Sequence, residues 1–260
     1  MMVPGNLRTS ITSVQEPGFK LFWIPSGSAP DTFPPVERAL REPDGLLAAG
    51  GDLSVDRLLN AYRCGIFPWY SDPQPILWWS PDPRCVIFPG KLHVSRSLRK
   101  TLRRGGYNVS ADTAFKEVVR ACAGRRRNQP DSGTWITDAM QAAYLELHRL
   151  GHAHSVEVRM DGELVGGVYG VALGRAFFGE SMFSQRPSAS KIALARLSAR
   201  LSEWGYELFD CQVHSAHLAR LGAVSIPRAE FICRLQHAVA EPSHSSAWVQ
   251  TRTSGAQGSQ

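Results

Sequence analysis

The sequence has no C-x-x-C pair, no apolar run long enough to cross a bilayer and no internal repeat. Its five cysteines, Cys64, Cys85, Cys122, Cys211 and Cys233, are odd in number and widely scattered. That argues against a disulfide framework or a structural zinc site and fits a reducing compartment. The first twenty residues contain no apolar stretch of the kind a secretory signal needs, so a cytoplasmic protein is expected. Acidic residues are the scarcer charge: 29 Lys and Arg stand against 23 Asp and Glu, a formal net charge of +6. With 260 residues and 43% hydrophobic content, the chain can build a substantial core.

The positive charge is concentrated. In "SRSLRKTLRR" (95–104) a helix capped by Ser95 puts Arg96, Arg99, Lys100, Arg103 and Arg104 on one face and Leu98 and Leu102 on the other. No acid interrupts the stripe at i+3 or i+4, so the cations repel one another unless an anion neutralises them. That favours phosphate binding over a merely solvated face. A second basic run, "GRRRNQPDSG" (124–133), reads as a loop.

Residues 1–20 and 241–260 are polar and aperiodic and read as a flexible extension and a flexible tail. Residues 21–90 are short elements among prolines, read as a small α/β domain: a strand "LFWIP", then a helix opened by Ser54 and closed by Gly65. From 91 to 240 the elements lengthen. "DTAFKEVVRACAG" and "TDAMQAAYLELHRLG" have helical periodicity. "HSVEVRM", "ELVGGVYGVALG" and "RAFFGESMFS" form a strand meander, with Asp161-Gly162 as a hairpin turn and Gly166-Gly167 suggesting a bulge. A long helix carrying Ile192, Leu194, Leu197 and Leu201, a strand "YELFDCQV" and two further helices complete an α+β chain. That order is the pattern of a GCN5-related N-acetyltransferase core. The Gly-rich R/Q-x-x-G-x-G/A turn that would cradle a CoA pyrophosphate is replaced by "SQRPSASK", which argues against an acyl-CoA N-acyltransferase.

Period two places Asp210 and Gln212 on one face of their strand and Cys211, read as core, on the other. The acid and amide are either a solvated strand end or a pair that orients an amine and steadies an oxyanion. Glu180 and Met182 fall on one face near Phe177 and Phe183. An acid there either faces a cationic ligand or is held by a protein arginine. His152 and His154 lack a third ligand and read as hydrogen-bonding residues. "FPWYSDPQPILWWSPDPR" (67–84) packs Trp69, Tyr70, Trp78 and Trp79 among five prolines, following neither helical nor strand period.

Together, "FPPVERALREPDGLLAAGGDLSVDRLLNAYRCGIFPWYS", "PILWWSPDPR", "LHVSRSLR", "GTWIT", "GHAHSVEV", "LVGGVYGVALG", "FFGESMFS", "ASK", "DCQV" and "LGAVSIPR" resemble the leucyl/phenylalanyl-tRNA–protein transferase family, from about residue 33 to 235. The resemblance implies a small N-terminal domain joined to an acetyltransferase-like catalytic domain. The implied activity moves Leu or Phe, and Met less well, from aminoacyl-tRNA to the N-terminal amine of proteins beginning with Arg or Lys, producing an N-degron. It implies Tyr62, Trp69 and Trp135 around the terminal adenosine, where stacking holds an unpaired base. Trp78 and Trp79 either share that work or pack the domain seam. It implies phosphate contacts from Arg96, Lys100, Arg103 and Arg104, and an apolar pocket of Val168, Phe177, Met182, Leu194, Leu201 and Phe209. It further implies Asp210 orienting and deprotonating the attacking amine, Gln212 positioning amine or carbonyl, and Glu180 pairing with the acceptor's cationic side chain. The ester is already activated, so neither cofactor nor metal is required, and a monomer is expected. Arg220 departs from the small polar residue the family pattern has there. A non-catalytic tRNA-binding module would need the basic helix and the rings, but not Asp210, Gln212 and Glu180 together.

Overall fold

The computed structural model describes residues 21–124, 135–242 and Trp248. The readings made of 1–20, of most of the tail and of the basic loop after Gly124 lie outside the described residues.

The chain opens with β1 (Phe22–Ile24), a 3-10 turn (Val36–Arg38) and β2 (Leu46–Gly50). Helix α1 (Val55–Arg63) follows, then β3 (Phe67–Pro68) and β4 (Leu77–Trp79). These strands make a four-stranded sheet in the order β1-β2-β4-β3. Ser54 stands at the N-cap of α1 as expected. Its side chain makes no capping bond, and its own N–H is taken by Asp52 Oδ1 at 2.9 Å instead.

Strand β5 (Arg84–Ile87) already belongs to the second sheet, so the change of sheet falls between Trp79 and Arg84, before the change of sequence texture at 90. Helix α2 (Arg96–Arg104), β6 (Asn108–Ala111), α3 (Phe115–Ala123) and α4 (Asp138–Arg149) come next. Ser95 and Thr137 cap α2 and α4 by accepting from Leu98 and Met140 N–H, each at 3.2 Å. The meander is β7 (Ala153–Met160), β8 (Glu163–Leu173) and β9 (Ala176–Ser184). Both turn residues, Asp161 and Gly162, have positive φ, as a tight hairpin requires. Beside Gly166 the β7–β8 register shifts between Val158 and Arg159, the bulge that the glycine pair suggested.

Helix α5 (Ala189–Glu203) leads to β10 (Leu208–Gln212), then α6 (Ala216–Arg220), β11 (Val224–Ile226) and α7 (Arg228–Ala240). The large sheet runs β11-β5-β10-β9-β8-β7-β6. It is mixed: β10 lies parallel to β9 and antiparallel to β5. The chain is therefore α+β, as its periodicities indicate, with the order of three meandering strands, helix, strand.

Two apolar clusters flank the large sheet. One joins it to the small sheet, α1, α3, α4 and α7; the other lies under α2 and α5. Ile192, Leu194, Leu197 and Leu201 are all buried in the second. Trp78 is fully buried, edge-on to Phe33, with its indole N–H on Gly50 O at 2.9 Å. Trp79 donates to Trp69 O at 2.7 Å. Both rings therefore pack the small sheet. From the tail, Trp248 stacks on His154 and donates to Tyr206 Oη at 2.8 Å, so at least this residue is seated on the large sheet. His154 otherwise contacts Asp112 and Gly151, the hydrogen-bonding role read for it.

Candidate active site

The site begins with two irregularities in neighbouring strands. In β9, Gly179 pairs with Gly170 and Ser181 with Tyr169, so Glu180 is left over as a bulge residue. In β10, Asp210 pairs with Val86 and Gln212 with Cys85, so Cys211 is left over. A bulge re-aims the side chains beside it. The β9–β10 pairing ends at Asp210 and Phe178, and the side chains beyond it converge.

Glu180 is buried at 1% exposure, and three donors meet its carboxylate. Tyr62 Oη and Gln212 Nε2 donate to Oε1 at 2.8 and 3.0 Å, and Tyr144 Oη donates to Oε2 at 2.6 Å. The tyrosine hydroxyls are themselves 2.6 Å apart. Sequence reasoning offered a cationic ligand or a protein arginine as Glu180's partner; the protein supplies hydroxyls and an amide. Burial pushes the Glu180 carboxyl up to about 7, against hydrogen bonds from Tyr144, Tyr62 and Gln212 that favour the charged form. The same burial, with the Glu180 charge nearby, raises both tyrosines well above the usual phenol range.

The arginine goes to Asp210. Arg84 Nε and Nη2 reach its two oxygens at 2.9 and 2.7 Å, and both residues are fully buried. The guanidinium lies between the rings of Phe67 and Phe231, 4.7 and 4.6 Å from their centroids, and donates to Gly65 O at 3.1 Å. Arg84 thus ties together the end of α1, the small sheet, β10 and α7. Gly65 is required there: its φ is +72°, and a Cβ would stand 2.5 Å from Ile232 Cδ1. Asp210 Oδ1 also accepts the Gln212 N–H at 2.8 Å. Gln212 sits in the left-handed region at φ +63°, which costs a non-glycine residue about 1–2 kcal/mol. The Asp210 carboxylate holds it in that conformation.

Beside this network opens a shallow cleft, about 360 Å³ when the part open to solvent is counted, lined by Val168, Gly179, Glu180, Ser181, Met182, Leu194, Phe209, Cys211 and Leu218. Four residues expected in an apolar pocket, Val168, Met182, Leu194 and Phe209, are on its wall. Phe177 and Leu201 belong to the same apolar cluster without lining the cleft; Phe177 backs Phe209 edge-on at 5.4 Å. The period-two reading that put Glu180 and Met182 on one face fails at the bulge. Glu180 turns to the tyrosines, while Met182 packs in the cluster under α5. Cys211, read as core, is buried and also lines the cleft.

The rings expected around an adenosine differ in setting. Tyr62 is fully buried, with its hydroxyl on Glu180. Trp69 is half-buried, 5.6 Å from Trp79, and Trp135 is 6% exposed. Tyr70 Oη and Thr137 Oγ1 lie 3.3 Å apart, which joins the segments bearing Trp69 and Trp135. Helix α2 has the predicted arrangement: Leu98 is buried, Leu102 packs against the same cluster, and all five cations are exposed. None of them forms an ion pair among the described residues.

Comparison with known proteins decides what this site belongs to. A family model described as "Leucyl/phenylalanyl-tRNA protein transferase" matches residues 86–236, and a second, described as the N-terminal domain of that transferase, matches 51–82. The chain belongs to the leucyl/phenylalanyl-tRNA–protein transferase family. The "Leucyl/phenylalanyl-tRNA--protein transferase" of Pseudomonas putida (strain W619) is 58% identical over 228 residues, 88% of this chain and 99% of that protein. The protein of the same name from Stutzerimonas stutzeri (strain A1501) is 61% identical over 200 residues, 77% of this chain and 88% of that one. Among solved structures, a GCN5-related N-acetyltransferase from Kribbella flavida matches at a TM-score of 0.36 and 14% identity, over 64% of this chain and 59% of that one. The family's name sets the chemistry: an aminoacyltransferase with an aminoacyl-tRNA donor and a protein acceptor. Among the described residues no helix is long and apolar enough to cross a membrane.

Arg84 and Tyr144 were missed in the sequence. Tyr144 sits on the buried stripe of α4 with Met140 and Leu147, where periodicity alone says core. Arg84 is the one charge in β5, a strand buried at every position, and a lone arginine there is a signal that a carboxylate waits for it.

Proposed function

We propose that this transferase moves Leu or Phe, and Met less readily, from aminoacyl-tRNA to the α-amine of proteins beginning with Arg or Lys, acting as a cytoplasmic monomer and marking the product as an N-degron. The observation that carries this reading is an apolar cleft that has Glu180, a buried acid, among its lining residues. The cleft suits a Leu, Phe or Met side chain, and the carboxylate suits a cation beside it. Oε1 accepts two hydrogen bonds and Oε2 one, so Oε2 keeps an acceptor position for the acceptor's Arg or Lys.

In the reaction the amine nitrogen attacks the ester carbonyl carbon, the bond from that carbon to the ribose oxygen breaks, and one proton passes from the amine to that oxygen. The ester is already activated, so the enzyme's main contribution is to place the amine against the carbonyl. An α-amine with a pKa of about 8 is roughly one-tenth neutral at pH 7, enough to react once placed. Gln212 supplies the placement, its amide beside the cleft and its backbone fixed by Asp210. With both oxygens on Arg84, Asp210 serves as a positioning residue; orientation, not deprotonation, is the part of its expected role this geometry supports. Trp69 and Trp135 hold the terminal adenosine by stacking, and Tyr62 supports that end of the site through Glu180. Arg96, Lys100, Arg103 and Arg104 take tRNA phosphates. The test is transfer of labelled Leu from Leu-tRNA to a peptide beginning with Arg and to the same peptide beginning with Ala. Strong preference for the first is expected; equal transfer to both would overturn the acceptor assignment.

A further inference from the structure

Next to residues that line the cleft stand basic side chains that helix α2 does not include. Leu194 of α5 and Leu218 of α6 line the cleft. Lys191 precedes Leu194 by three residues on α5, and His217 and Arg220 lie either side of Leu218 on α6. Lys191 and Arg220 are exposed and His217 is half-buried. The three are near enough to act on one another: burial, then the charges of Lys191 and Arg220, hold His217 below the usual imidazole range. No carboxylate forms an ion pair with any of them among the described residues.

This group is continuous with the basic helix. Leu221, just after α6, accepts the N–H of His93 at 2.9 Å, and Gly222 lies against the same residue. The exposed His93 stands two residues before the cap of α2. Basic side chains therefore follow one another from α2, past His93, along α6 to Lys191 and the cleft. Unpaired like charges held close repel, and an anion is what relieves them. An acceptor beginning with Arg or Lys is repelled by such a row, so the row serves the donor. The donor's anions nearest the reacting ester are the backbone phosphates of its unpaired 3′ end.

We propose that Lys191, His217 and Arg220 bind backbone phosphates of the single-stranded 3′ end of the donor tRNA, a second RNA contact separate from α2 and next to the reacting centre. It rests on the reading of the cleft as the seat of the aminoacyl end. The contact differs in kind from that of α2: it follows the strand into the site, so it depends on the unpaired nucleotides being present.

Binding of two RNAs to the full-length protein tests this: intact uncharged tRNA, and the same tRNA lacking its unpaired 3′ nucleotides. The wild type should bind the intact tRNA more tightly. Lys191→Gln/Arg220→Gln should lose affinity for intact tRNA, on the order of tenfold at low salt, and keep its affinity for the truncated one. Its salt slope with intact tRNA should flatten by about 1.4, two single-strand contacts at about 0.7 each. Equal loss with both RNAs, no loss with either, or a wild type indifferent to the truncation would overturn the proposal. A single Arg220→Gln variant repeats the comparison should the double variant unfold. These outcomes concern binding alone, whereas failure of the cleft reading shows in the transfer assay.

Discussion

Replacing Glu180 by Gln removes a titrating group and keeps its size, so its effect on stability is calculable from one pKa. The Glu180 carboxyl is raised from 4.5 to about 7 in the folded protein. Between those values the folded state holds a proton that the unfolded state has released, so stability falls as pH rises through the window. Linkage gives a penalty of roughly 1 kcal/mol at pH 5 and roughly 3 kcal/mol at pH 8, a difference of about 2–3 kcal/mol. The Gln side chain carries no such penalty and can still bond the hydroxyls of Tyr62 and Tyr144, each of which donates or accepts. Stability of wild type and Glu180→Gln, measured by urea unfolding at pH 5 and pH 8, gives a difference of differences free of the hydrogen-bond change. The variant should gain about 2–3 kcal/mol relative to wild type between the two pH values. The same wild type–variant gap at both would show that Glu180 ionises normally and refute the buried-carboxylate argument.

Arg84→Met should leave Asp210 buried without a counter-charge and destabilise the protein by about 3–5 kcal/mol, read as a fall in the urea midpoint; a loss below about 1 kcal/mol would mean that water reaches the carboxylate. Arg84→Lys should recover only part, since a lysine cannot span both Asp210 oxygens and Gly65 O. Arg96→Glu/Lys100→Glu should weaken tRNA binding and flatten its salt slope by about 0.9 per lost duplex contact; an unchanged slope would make that face merely solvated. A Cβ at position 179 would come within 2.6 Å of the Phe209 ring. Gly179→Ala should therefore push that ring toward the cleft and reduce transfer from Phe-tRNA more than from Leu-tRNA, and an unchanged ratio of the two kcat/KM values would exclude Phe209 from the donor pocket.

The elements that the sequence makes readable are those with a long period: α2 by its cations and paired leucines, α4 by its Thr137 cap, α5 by its buried stripe, the β7–β8 hairpin by Asp161-Gly162. Strands β2 and β5 are buried at every position, so no alternation betrays them, and β3 and β11 are two and three residues long. The site divides the same way. Glu180 stands out in "FFGESMFS" as an acid among Phe and Met, and Asp210 and Gln212 as polar residues in a strand. Their partners do not, because Tyr62, Arg84 and Tyr144 come from three other elements and meet only in the fold. The bulges at Glu180 and Cys211 break the period-two rule where the rule was used to assign faces. Functional positions depart from local regularity, and a rule of regularity cannot find them.

We propose that Glu180 reads the acceptor's first residue. The most direct measurement is kcat/KM for Leu transfer to peptides beginning with Arg and with Ala, in wild type and Glu180→Gln, with Leu-tRNA binding followed in parallel. Loss of the charge partner should lower transfer to the Arg peptide by the equivalent of about 2–5 kcal/mol, leave the Ala peptide nearly unaffected and leave tRNA binding intact. Equal loss on both peptides, or an unchanged Arg-to-Ala ratio, would contradict it.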